Sequence, residues 1–330
     1  RETFGMKKFL NIFVISFALV FSTSTFANKI GVIYDSGGKF DKSFNELAYN
    51  TAVRVQNELG WDMIEFEAAN NTQIEQGMRK VADRGATLVV AMGFAQADAV
   101  AAIAPQYPDV NFVAVDVCWV DDPAGNIYQA CYLEHEGSFL VGVIAAMASK
   151  TGTIGFVGGM DIPLIRKFQG GYEQGALHAN PDIKILANMT GTTPEAWNNP
   201  TKGAELTKAQ IDGGADVVYQ AAGGTGIGVL QAAADAGIMG IGVDTNQNWM
   251  HPGSMLTSML KRLDLTIFEQ AEKTAAGTFE PGINILGLAQ GMVGYATEDG
   301  MVTDEMAAAA ETAAAGIIDG SITVADWSQE

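Results

Sequence analysis

Asp83-Arg84-Gly85-Ala86-Thr87-Leu88-Val89-Val90 returns 129 positions further on as Asp212-Gly213-Gly214-Ala215-Asp216-Val217-Val218-Tyr219. Each copy has a helix end, a glycine stop and a short apolar run that reads as a buried strand. Working outward, Ala114-Val115-Asp116 is matched by Gly242-Val243-Asp244 at an offset of 128, and Gly31-Val32-Ile33 by Gly155-Phe156-Val157 at 124. Phe44 and Tyr49, beyond the first strand, are echoed by Phe168 and Tyr172. One match is chance; three in order at nearly one spacing describe a duplication. A period near 125 is too long for a solenoid repeat and suits two similar α/β domains.

Within the first copy, strands are expected at 29–34, 64–66, 88–92 and 112–115, with helices at 43–59, 72–84 and 95–103. Thr72 reads as an N-cap and Gly85 as a stop. Strands alternating with helices imply a parallel sheet covered on both faces. Such sheets bind ligands beyond the carboxyl ends of their strands. There the first copy places Asp35-Ser36-Gly37-Gly38, Gly93-Phe94 and Asp116; the second places Gly158-Gly159-Met160, Gly223-Gly224-Thr225-Gly226 and Asp244. A single aspartate ending a strand is as well explained as a helix cap. Equivalent aspartates on both copies favour a shared cleft between two lobes, closing by a hinge.

The 330 residues carry 19 Lys and Arg against 38 Asp and Glu, with 48% hydrophobic and 17% charged residues. Gripping a phosphate backbone needs clustered basic residues, so nucleic acid is not an expected partner. The apolar fraction is too high for a disordered chain. Three His and two Cys leave little material for a metal centre, and no cofactor is expected.

Met6-Lys7-Lys8, the apolar run 9–21 and Thr25-Phe26-Ala27 have the pattern of a secretory signal peptide cut after Ala27. A membrane anchor needs about 20 apolar residues, and this run is shorter and contains Asn11 and Ser16. Residues 1–5 read as an expression scar or a misplaced start. No Cys stands at the cut, so the usual lipid-attachment pattern is missing. The expected location is the periplasm, where disulfides persist. Cys118 ends one apolar run and Cys131 begins the next, across the turn-rich stretch 121–126. Two strands joined by that turn bring them together as a bridge; two small buried thiols fit the sequence equally well.

An enzyme is disfavoured. In the glycine-rich stretch 223–228 after a strand, Gly224 and Gly226 are followed by Val229 where a dinucleotide loop needs its third glycine. No phosphate-binding loop, nucleophile elbow or zinc-protease helix motif occurs in the sequence. His135, His178 and His251 lack neighbours that suggest catalysis.

Asp35-Ser36-Gly37-Gly38-Lys39-Phe40-Asp41-Lys42-Ser43-Phe44-Asn45 resembles the opening motif of the basic membrane protein family of transporter solute receptors, which includes bacterial purine-nucleoside receptors. Gly137-Ser138-Phe139-Leu140-Val141-Gly142, Gly158-Gly159-Met160, the stretch from Gly223 through Asp244, and Ser258-Met259-Leu260-Lys261 match in order, so the resemblance spans about 30–295. It implies a type I periplasmic binding-protein fold: two Rossmann-like lobes, a hinge and a ligand cleft. The expected lobes are 28–131 with about 258–288, and 132–257 with about 289–330. It further implies a monomer that captures a purine nucleoside and delivers it to an inner-membrane ABC permease.

Position by position, the resemblance makes Phe44 the first ring against the base and Trp197 the second. Asp244 and Lys261 become the pair that holds the ribose. Asp35, Asn45 and Asp116 fall on polar positions of the cleft, and Gly93 and Gly224 on places where backbone approaches ligand. Two departures stand out: relatives often have Phe where this chain has Trp197, and Asp where it has Asn199. Ordinary packing for the two rings and a solvated hinge lysine for Lys261 remain alternative readings. So do a sugar or flavin as ligand, and a sensory receptor presenting its ligand to a membrane kinase.

Overall fold

The computed structural model describes residues 27–68 and 70–329. The expected signal peptide thus lies outside the described residues, apart from Ala27 itself. From Lys29 the chain runs β1 (Lys29–Tyr34), α1 (Phe44–Leu59), β2 (Asp62–Glu67), α2 (Ile74–Asp83), β3 (Leu88–Ala91), α3 (Ala97–Ile103), β4 (Asn111–Val115) and β5 (Ile127–Tyr132). The second copy follows as α4 (Glu134–Ala148), β6 (Thr153–Met160), α5 (Pro163–Ala179), β7 (Lys184–Gly191), α6 (Pro200–Asp212), β8 (Val217–Ala221), α7 (Gly226–Asp235), β9 (Met239–Asp244) and β10 (Met255–Lys261). The chain ends with α8 (Leu263–Ala276), β11 (Gly282–Leu286), β12 (Val293–Tyr295) and α9 (Asp304–Asp319).

These strands form two sheets of identical design, ordered β11-β5-β4-β3-β1-β2 and β12-β10-β9-β8-β6-β7. The duplication reaches the register: Gly31 stands opposite Val89 in the first sheet, and Gly155 opposite Val218 in the second. Pairing is parallel throughout the described strands except between β10 and β12. Strand alternation sends Val32 to one face, against Ala48, Ala52 and Val55 of α1, and Ile33 to the other, against Met78 and Val81 of α2. Both faces are therefore apolar, which is why the strands read as continuous hydrophobic runs. In the second lobe α4 and α5 press together across two glycines. A side chain at Gly142 would meet the Tyr172 carbonyl, and one at Gly175 the Phe139 carbonyl.

Three crossings join the lobes: Leu133 between β5 and α4, Arg262 between β10 and α8, and 287–292 between β11 and β12. They are tied to one another. Leu133 N–H donates to the Leu286 carbonyl at 3.0 Å, and Arg262 N–H to the Met292 carbonyl at 2.9 Å. The Glu136 carboxylate accepts from Leu288 N–H at 2.7 Å. Ser258 to Lys261, grouped by the sequence with the first lobe, belong to the second sheet because β10 continues the parallel ladder beside β9 as far as Leu260 and Asp244. Only α8 and β11 return to the first lobe. Among the described residues, no helix is long and apolar enough to cross a membrane.

One local expectation fails. Thr72 lies within a short 3-10 turn and spends its hydroxyl on Asn70 Oδ1 at 2.5 Å, so α2 begins after Gln73 without a side-chain cap. The strands around the cysteines are neighbours, as expected, and run parallel. Cys118 lies past the carboxyl end of β4, and Cys131 is near the carboxyl end of β5, so the pair meets at the same edge of the sheet. The loop between is folded back by Asp122, whose carboxylate accepts from Asn126 N–H (3.1 Å) and Ile127 N–H (2.8 Å). The structure pairs Cys118 with Cys131 at a Cα–Cα distance of 5.6 Å. Thiol titration of denatured, unreduced protein should accordingly find no free sulfhydryl; two titratable thiols would refute the bridge. Closing so short a loop is worth about 3 kcal/mol, so reduction should lower the melting temperature measurably.

Candidate ligand cleft

The cleft is built from the ends of equivalent strands. Asp116, one residue beyond β4, has φ 62°, and Asp244, the last residue of β9, has φ 66°. Left-handed backbone is costly for most side chains and is tolerated best by Gly, Asn and Asp. The same strained conformation at both positions extends the duplication to the backbone. Both carboxylates line a space between the lobes, together with Phe44, Phe168 and Trp197.

The start of α1 supplies the first lobe's share. Asp41, and not the N-cap residue Ser43, satisfies the helix's free amides. Its carboxylate accepts from Ser43 N–H (2.9 Å), Asn45 N–H (3.0 Å) and Glu46 N–H (3.1 Å). Ser43 is thereby released to reach across the cleft, donating its hydroxyl to Asp244 Oδ2 at 2.5 Å. A second bond between lobes runs from Gln247 Nε2 to the Lys42 carbonyl at 2.8 Å. Asp35 accepts from Asn45 Nδ2 (2.6 Å) and Gly37 N–H (2.8 Å), while Asn45 Oδ1 accepts from Asp35 N–H (3.1 Å).

Lys261, the last residue of β10, is 1% exposed. Its Nζ lies 2.6 Å from Asp116 Oδ1 and 3.0 Å from Glu134 Oε1, and 5.2 Å from the centre of the Phe44 ring. Glu134 Oε2 in turn meets Lys167 Nζ at 2.6 Å, and Lys167 also donates to the Tyr132 carbonyl at 2.5 Å. Glu134 follows the first crossing directly, and Lys261 precedes the second. Burial pushes the lysine's pKa down, but Asp116, Glu134 and Asp244 outweigh that and hold it above its ordinary value. Burial also pushes Asp35 and Asp244 up.

Of the residues singled out in the sequence, Asp35, Phe44, Gly93, Asp116, Trp197, Asp244 and Lys261 line this one cleft. Asn45 is fully buried behind it, orienting Asp35. Gly224 sits where the lobes nearly touch: a Cβ there would lie 3.2 Å from the Trp197 carbonyl and 3.3 Å from the Gly37 carbonyl. Trp197 lies against Gly159, whose missing side chain makes room for the indole. The ion pairs of Lys261 run to Asp116 and Glu134, so the expected direct partnership with Asp244 is replaced by a longer-range attraction. Sequence reasoning overlooked Glu134 and Lys167, and it noted Phe168 only as an echo of Phe44 although that ring lines the cleft.

The cluster has a pH signature. Burial, only partly relieved by Lys261, pushes the Asp116 carboxyl up to about 6, against ~4 in an unfolded chain. The folded protein therefore holds that proton more tightly, and the stability this confers is present below ~4 and lost as pH rises to about 6. Glu134 has the opposite sign. Burial pushes it up, but Lys167 and Lys261 prevail and hold it at about 2. Its contribution is present above ~4.5 and lost as pH falls toward 2. Burial also raises Asp41 to about 7 and raises Asp35 and Asp244, so calorimetric melting of ligand-free protein should decline as pH rises toward neutrality, and Asp116→Asn should lessen that decline by removing one of its sources. An undiminished slope in that variant would contradict the assignment.

The family model described as ABC transporter substrate-binding protein PnrA-like matches residues 27–326. Basic membrane protein A2 of Borrelia garinii subsp. bavariensis is 32% identical over 303 residues, covering 90% of this chain and 88% of the relative. The ABC transporter nucleoside-binding protein BmpA of Lactococcus lactis subsp. cremoris is 32% identical over 319 residues, covering 90% and 88%. Among solved structures, an ABC transporter solute-binding protein from Aeropyrum pernix K1 superposes with a TM-score of 0.82 at 26% identity, covering 91% of this chain and 93% of that one.

Proposed function

The chain belongs to the PnrA-like family of ABC transporter substrate-binding proteins, and we propose that within it this member captures a purine nucleoside by closing its lobes. Membership implies a small-molecule ligand and a membrane permease as partner. The observation that carries the finer reading is a cleft with aromatic rings from opposite lobes, Phe44 and Trp197, beside a buried cluster of Asp116, Asp244 and Lys261. A flat heterocycle stacks on aromatic faces, and vicinal hydroxyls donate to ionised carboxylates. In this reading Phe44 and Trp197 enclose the base, Asp244 accepts from the sugar in place of Ser43, and Lys261 donates to a sugar oxygen. Asp35, held by Asn45, meets a polar edge of the base, and Gly93 and Gly224 let backbone come close. The nucleoside-binding name of the Lactococcus relative supports the ligand class. In this reading the mature protein works in the periplasm as a monomer, a location supported by the signal-peptide pattern of residues 6–27.

Two variants separate the base from the sugar. Trp197→Ala removes a stacking face worth about 1–3 kcal/mol, so affinity for nucleoside and free base alike should fall roughly ten- to a hundredfold. Asp244→Ala removes a charged acceptor worth about 1.5–3 kcal/mol. Because Lys261 keeps Asp116 and Glu134 as partners, that loss should fall on adenosine, guanosine or inosine and spare the free base. Titration calorimetry against nucleosides, adenine and ribose decides between these outcomes. Failure of the unaltered protein to bind any purine nucleoside, or much tighter binding of glucose or riboflavin, would overturn the reading.

A further inference from the structure

The cleft does not end at Trp197. A second space shares Asp35, Gly93, Phe94 and Trp197 with it as common walls. Asp116, Asp244 and Lys261 border the cleft but not this space, which therefore lies at the end remote from the charged cluster. Its other walls come from both lobes, with Ala95 from the first and Met160 and Pro194 from the second. Lobe closure thus forms it along with the cleft. Ser36 and Asn70 add polar edges, but most of its lining surface is apolar, which suits an apolar group.

A glycine stands on the wall that the two spaces share. Gly93 has φ 92°, a conformation that disfavours any side chain, and a Cβ there would lie 3.3 Å from Asp35 Oδ2 and 3.7 Å from the Phe44 ring. Asp35 is itself fixed by Asn45 and Gly37, so it borders the opening without swinging across it. A purine whose sugar lies at Asp244 and Lys261 turns its six-membered ring toward this end. We infer that the second space is a subsite for an apolar substituent on that far edge, so that the protein accepts purine nucleosides enlarged at N6 by an alkyl or aryl group. The inference rests on the nucleoside reading given above.

Adenosine and N6-benzyladenosine, titrated calorimetrically against unaltered protein and Ala95→Trp, test it. Ala95 is exposed at the rim of the second space and is not a wall of the main cleft, so the larger side chain fills one and not the other. The unaltered protein should bind N6-benzyladenosine at least as tightly as adenosine. Ala95→Trp should weaken the benzyl derivative by about tenfold or more while adenosine changes by no more than about twofold; retained adenosine binding also certifies that the variant is folded. Adenosine binding without comparable N6-benzyladenosine binding would overturn the subsite and leave the nucleoside reading intact. An equal loss of both ligands in Ala95→Trp, or no loss of either, would likewise overturn it. Binding of neither compound by unaltered protein would overturn the subsite, and the nucleoside reading falls with it if guanosine and inosine also fail to bind.

Discussion

A buried ammonium constrains this molecule more than any other group. Lys261 is withdrawn from water at the point where the chain passes between lobes, and an uncompensated charge there is strongly destabilising. Its compensation is divided: Asp116 belongs to the first lobe, while Glu134 begins the helix that follows the first crossing. The two partners sit differently with respect to the crossings: Glu134 and Lys261 flank neighbouring crossings, whereas Asp116 belongs to the first sheet. Under the proposed closure, opening would separate Asp116 from the lysine, while Glu134, anchored by Lys167, would keep the lysine paired. The same ammonium also faces the ring of Phe44, so hinge, charge and ligand space converge on one atom.

Duplication explains how such a site arises. Two parallel sheets of one design, with carboxyl edges facing, bring their strand-end residues opposite one another. Asp116 and Asp244 occupy equivalent places and share a left-handed backbone. Their roles then diverge: the first binds the lysine, and the second is met by Ser43 from the opposite lobe. That divergence depends on a small rearrangement at α1, where Asp41 takes over the capping bonds and frees the serine hydroxyl.

The repeat made the lobes, the strand ends and both aspartates legible before any coordinates, because matched glycines and hydrophobic runs encode a parallel sheet directly. Phe44, Trp197 and Lys261 were reached through resemblance, since nothing in a lone aromatic or lysine announces a cleft. Glu134 was missed for a physical reason: an acid in the first turn of a helix is ordinary, and its value here comes from Lys167 and Lys261, more than thirty and more than a hundred residues away along the chain. Thr72 misled because Asn70 competes for its hydroxyl. Local patterns, in short, reveal elements well and reveal long-range partners poorly.

The central claim is that ligand draws the two lobes together over Lys261. Small-angle X-ray scattering of the protein alone and saturated with adenosine, guanosine or inosine tests it most directly. The account predicts a smaller radius of gyration with at least one of these nucleosides. A scattering profile unchanged by all three at saturating concentration would contradict it.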